Sequence, residues 1–73
     1  MRYAVVIEKS GANYSAYVPD LPGCAATGAS PTDVENLLRE AIEMHIAGMR
    51  EDRIAIPEPS SRVDYLEIPV AGE

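Results

Sequence analysis

The chain has 73 residues, which is one domain's worth and leaves no room for a second. A chain of that length buries only about 60% of the surface its unfolded form exposes, so a lone copy is marginal. A single cysteine, Cys24, rules out an intramolecular disulfide, and no Cys/His cluster offers a structural zinc. Twelve acidic residues against six basic ones give a formal net charge of −6. That balance argues against nucleic acid as a direct ligand, because such binding normally needs a basic footprint, and it favours a basic protein partner. Self-association is the remaining way to bury more apolar area, so a homodimer or homotetramer is expected.

The first apolar run, Tyr3 to Ile7, is too short for a signal-peptide core or a membrane span. With one free thiol and no export signal, the chain reads as cytoplasmic. Arg2 to Lys9 reads as a strand; its continuous apolar stretch, with β-branched Val5, Val6 and Ile7, predicts burial on both faces and hence a central place in a sheet. Ser10 to Asn13 supplies turn residues. Tyr14 to Val18 then alternates as a second strand, antiparallel to the first.

Pro19 ends that strand, and Leu21-Pro22-Gly23-Cys24 has proline and glycine where a type II turn requires them. Cys24 to Thr27 predicts a short strand whose small side chains permit close packing. Ser30-Pro31-Thr32-Asp33 is a helix start: a capping serine, proline in the first turn, and an acid at the positive end of the dipole. Val34, Leu37, Leu38, Ala41, Ile42, His45, Gly48 and Met49 follow at helical spacing on one side. Asn36, Arg39, Glu40, Glu43, Ala47 and Arg50 line the other.

The helix is expected to end at Glu51-Asp52-Arg53. Pro57 and Pro59 make the segment from Ile54 to Ser61 a stiff crossover. Arg62 to Val70 predicts a last strand, with Val63, Tyr65 and the methylene-rich part of Glu67 on one face and Leu66 and Ile68 with Asp64 on the other. Pro69 limits it to a sheet edge or to its own final residues. The expected architecture is α+β, in the order β-β-β-α-β, with one long helix on one face of an antiparallel-rich sheet.

Cys24 and His45 are the candidates for a nucleophile and base. Cys24 follows a Pro-Gly turn with no local cation or helix N-terminus to lower its pKa, so a core role fits it better. His45 sits inside the apolar stripe, where a satisfied core or interface histidine is the commoner case; at a contact, its titration near neutral pH would tune assembly. The acids of the helix fall on or near its solvent side, and no phosphate-loop, zinc-protease or nucleophile-elbow pattern is present. No catalytic residue, cofactor or metal ligand is expected.

Tyr17-Val18-Pro19-Asp20-Leu21-Pro22-Gly23-Cys24, followed by Thr27-Gly28, resembles the opening of HicB-like antitoxins. Arg39-Glu40-Ala41-Ile42-Glu43-Met44-His45-Ile46, Arg50-Glu51-Asp52 and Ile56-Pro57-Glu58-Pro59-Ser60 continue the likeness in order, so that it runs from about Tyr3 to Val70. The resemblance implies a partial, degenerate RNase H-like fold without the nuclease's acidic site. It also implies a HicA-like toxin, a small mRNA-cleaving protein, as the partner whose active site is blocked. Many such antitoxins carry a further DNA-binding segment; this sequence ends at Glu73, so autorepression is not expected of it.

Two readings from different classes follow: a toxin-neutralising antitoxin, and a stand-alone oligomeric scaffold or ligand-binding module. A residual hydrolase built on Cys24 or His45 ranks third. For the antitoxin, contacts are expected around the Pro-Gly turn at Asp20 and Leu21, and on the acidic side of the helix at Glu40 and Glu43.

Overall fold

Helix nucleation is costly, and here the start is capped: the Ser30 hydroxyl accepts a hydrogen bond from the Asp33 amide at 3.1 Å, and Pro31 lies in the first turn. The computed structural model describes residues 1–72 and shows a helix, α1, over Pro31–Glu51. Its far end closes in a Schellman arrangement. The Ile54 amide donates to the Met49 carbonyl at 2.8 Å, and the Arg53 amide to the Arg50 carbonyl at 3.2 Å. Arg53 takes the left-handed conformation there, with φ 54°, where glycine is the usual occupant.

Three strands precede the helix: β1 (Val6–Ser10), β2 (Asn13–Tyr17) and β3 (Ala25–Gly28), forming an antiparallel sheet in the order β1-β2-β3. Ser10 pairs with Asn13 across the tight Gly11–Ala12 loop, as the turn residues predict. The register sets Ile7, Ala16 and Ala26 side by side on one face, and Val6, Tyr17 and Ala25 on the other. Ala16 is buried, so the first set faces α1. Val34 and Leu38 descend from the helix onto Ala16, Val18, Leu21 and Cys24, and these six make the buried core among the described residues. Each fully buried aliphatic side chain contributes roughly 1.5–3 kcal/mol, so this core is small for the chain it stabilises.

The α+β class and the β-β-β-α order agree with the sequence reading, but two expectations need correction. β1 was expected in the centre of a sheet and lies at its edge; β2 is central. Arg62 to Val70, expected as a final strand, forms no ladder and stays exposed. The physical reason is common to both. A strand persists only where its amides and carbonyls find a neighbour, and β1's outer edge and the tail each lack one. Within the helix, Leu37 was placed on the buried stripe yet is exposed; it lies on the flank opposite Leu38 and Ile42, which face Tyr3 and Val5.

The join between β3 and α1 is tight. A Cβ at Gly28 would come within 2.8 Å of the Val34 amide nitrogen and 3.0 Å of its Cα, both backbone atoms that cannot swing aside. Gly28→Ala must therefore push the helix off the sheet. The expected cost is about 1–3 kcal/mol, the usual penalty for overpacking, read as a lower urea midpoint with an unchanged slope.

Candidate functional site

Two consecutive turns link β2 to β3 and decide which side chains of the Pro-Asp-Leu-Pro-Gly segment face outward. The Leu21 amide donates to the Val18 carbonyl, and the Cys24 amide to the Leu21 carbonyl, each at 3.1 Å. The Val18 amide closes the loop on the Cys24 carbonyl, also at 3.1 Å. Gly23 has φ +80° at the third position of the second turn, which is the geometry that a type II turn demands. The double turn drives Leu21 inward until it is 0% exposed. Leu21 was expected at the surface as a contact residue; it is instead a core anchor, because a turn on each side folds it back under α1.

Asp20 points the other way and binds the returning chain. Its carboxylate accepts the backbone amides of Ser60 and Ser61, both at 2.8 Å, and their hydroxyls at 3.1 and 2.7 Å. The Ser61 amide and hydroxyl, then the Ser60 amide, lower the Asp20 pKa from 3.8 to about 2, since hydrogen bonds to a carboxylate favour its charged form. A second tie lies beside it, where the Tyr3 hydroxyl donates to the Pro57 carbonyl at 2.6 Å. Sequence reasoning missed Ser61 and Tyr3 as partners in this clamp. The available signal was a pair of adjacent serines after two prolines, offering four donors in a segment with no helix or strand of its own to use them.

Glu40 and Glu43 are exposed on α1, as expected of the acidic helix side. Glu43 stands on the rim of a shallow groove between the first half of α1 and the start of the chain, floored by Tyr3, Val5, Leu38 and Ile42. Neither acid is brought near Asp20 by any hydrogen bond among the described residues. The four expected contact residues thus divide into one buried anchor, one internal clamp and two surface acids.

Cys24 is buried, and that burial raises its thiol pKa above the usual 9.0, away from the thiolate that nucleophilic chemistry requires. His45 is half-buried, and its Nε2 is enclosed with no hydrogen-bond partner among the described residues. No group of three or more His, Cys, Asp or Glu side chains is placed to hold a metal ion among the described residues. None of the described helices is long and apolar enough to cross a membrane.

The clamp makes a pH prediction. A carboxyl whose pKa is depressed on folding favours the folded form when ionised, so its contribution is fully present above 3.8 and is lost as pH falls through about 2. The Asp20 side-chain carbon, followed by NMR, should titrate with a midpoint near that lower value. In Asp20→Ala, hydrogen exchange at the Ser60 and Ser61 amides should accelerate already at neutral pH.

Comparison with known proteins agrees with this arrangement of turn, helix and crossover. Residues 3–69 match the family model described as the HicB-like antitoxin of bacterial toxin–antitoxin systems. A 14.9 kDa protein from the rep–hol intergenic region of Haemophilus phage HP1 is 36% identical over 69 residues, covering 94% of this chain and 52% of that protein. A UPF0150 protein of Helicobacter pylori strain J99 is 34% identical over 67 residues, covering 90% of this chain and 93% of its own length. The chain therefore spans about half of the phage relative and nearly all of the bacterial one. No solved structure matches. The match to the family model across almost the whole chain shows that this protein belongs to the HicB-like antitoxins of bacterial toxin–antitoxin systems.

Proposed function

We propose that this antitoxin binds a HicA-like, mRNA-cleaving toxin and covers its active site. The observation that carries the reading is the exposed acidic side of α1, with Glu40 and Glu43 outward on a chain of net charge −6. A protein that grips and cuts RNA must present a basic surface. An acidic blocker is steered onto that surface and competes for it with RNA phosphates.

In this reading inhibition is occupancy. It requires no catalytic residue, cofactor or metal, and the buried Cys24 thiol is a core side chain. Glu40 and Glu43 meet the toxin; Leu21 holds the double turn, and Asp20 fixes the crossover behind it. The site of action is the cytoplasm, where mRNA is found, and the chain works as a homodimer or homotetramer without touching nucleic acid directly. A second reading, a stand-alone oligomeric scaffold, draws support from the exposed apolar tail, where Tyr65 is 90% and Leu66 81% exposed.

Co-expression with the product of the adjacent gene separates the two. The antitoxin reading expects rescue of toxin-arrested growth and co-purification of the pair. Charge reversal at both acids, Glu40→Lys with Glu43→Lys, should weaken the complex by at least about tenfold, or about 1.4 kcal/mol. That loss should shrink at high salt, where surface charges are screened. Normal rescue by the reversed variant would move the contact away from this helix face, and failure of the unaltered chain to bind or rescue would remove the proposal.

A further inference from the structure

Two parts of the molecule are incomplete in complementary ways. The first is the outer edge of β1. The chain leading into it, Tyr3 to Ile7, has the continuous apolar character of a strand flanked on both sides, yet β1 ends the sheet. On the helix side, α1 leans over β3 and β2 and leaves the groove floored by Tyr3, Val5, Leu38 and Ile42 beside β1. On the opposite side, Val6, Tyr17 and Ala25 lie in line across the sheet, Val6 half-buried and Tyr17 and Ala25 exposed. The second is the tail from Arg62 to Val70. It lies outside any ladder and is rich in apolar side chains on both faces, each with one acid: Val63 and Tyr65 with Glu67 on one, Leu66, Ile68 and Val70 with Asp64 on the other, the apolar side chains all exposed.

A strand added beside β1 needs the kind of side chains that the tail carries. One face would enter the groove under α1, and the other would extend the sheet's outer face; large apolar side chains on both faces of the tail are more than a surface edge strand requires. The take-off point is held firmly. Tyr3 ties Pro57, and Asp20 ties Ser60 and Ser61, so the crossover delivers the tail to the same end of the sheet as Arg2 to Ala4. From there the tail departs from its own sheet, and the molecule reaches 54 Å in its longest dimension against 16 Å in its shortest. An apolar strand held out from a clamped base, on a chain with an open apolar edge, suits exchange between two identical copies.

We propose that two copies of this chain exchange their tails, the segment Arg62 to Val70 of each adding as a strand along the outer edge of β1 of the other. The occupant of the edge is a second copy because the tail and the edge belong to one sequence and each lacks what the other offers. The proposal rests on the self-association stated above and specifies its mode.

The test uses the full chain and two variants, Leu66→Asp with Ile68→Asp, and a chain shortened before Arg62. Both replaced side chains are exposed in the lone chain, so the substituted protein should keep its helix, as circular dichroism will show. Sedimentation should find a dimer for the full chain and a monomer for both variants. In a dimer mixed from isotope-labelled and unlabelled copies, NMR contacts between the tail and β1 should run between copies, and slow amide exchange should appear in both segments together. A dimer that survives both variants overturns the exchange and leaves self-association standing. A monomeric full chain overturns both. Tail-to-β1 contacts confined to a single copy overturn the exchange in favour of the tail completing its own sheet.

Discussion

The structure depends on how much apolar surface one short chain can cover. Six side chains are buried among the described residues, and the largest of them, Leu21, Leu38 and Val34, meet where α1 crosses the sheet. Everything that positions the outer surface is attached to that crossing. The double turn exists in this form because Leu21 must reach it, and Gly28 because nothing larger fits between β3 and the helix's first turn. With that contact in place, Asp20 is forced outward, where it catches the crossover and sets the direction in which the chain leaves. A core this small also explains the apolar surface left over along β1 and the tail, which the proposed exchange would cover.

The same economy separates binding from chemistry. The one thiol is spent on the core, and among the described residues no three His, Cys, Asp or Glu side chains are grouped to hold a metal ion. What the molecule presents is shape and charge: an acidic helix face over a shallow apolar groove, with the crossover held by hydrogen bonds behind it. Membership of the HicB-like antitoxins agrees with a protein whose activity is to occupy a surface of another. In the proposed exchange the contacts lie along β1 and the tail, whereas Glu40 stands on the helix. The proposed assembly and the proposed partner contact would thus use largely different faces, with Glu43 at the boundary between them.

Much of the local structure was legible in the residues. Ser30-Pro31-Thr32-Asp33 predicts the helix start through capping chemistry that needs no tertiary information, and the Pro22-Gly23 pair predicts its turn because few residues accept a φ near +80°. Val34 and Leu38 were legible as core from spacing alone; Leu37 was not, because which flank of an amphipathic stripe is covered depends on where the sheet ends. Leu21 was misplaced for a related reason. A leucine in a Pro-rich turn looks exposed until the second turn, closed by Val18 and Cys24, is known to fold it back.

The tail shows the limit most clearly. Its alternation predicts a strand, but a strand's existence depends on a neighbour that the chain's own pattern does not name. The candidate site was legible as composition, an acidic helix side, and illegible as geometry: the Asp20 clamp joins residues forty positions apart in the chain. The account stands on the claim that one copy is energetically incomplete. Thermal unfolding measured across a wide range of protein concentration tests it directly, because a fold completed by association is stabilised by mass action. The midpoint should climb steadily with concentration; a midpoint that stays constant down to the most dilute sample, with the chain fully folded, would contradict the claim.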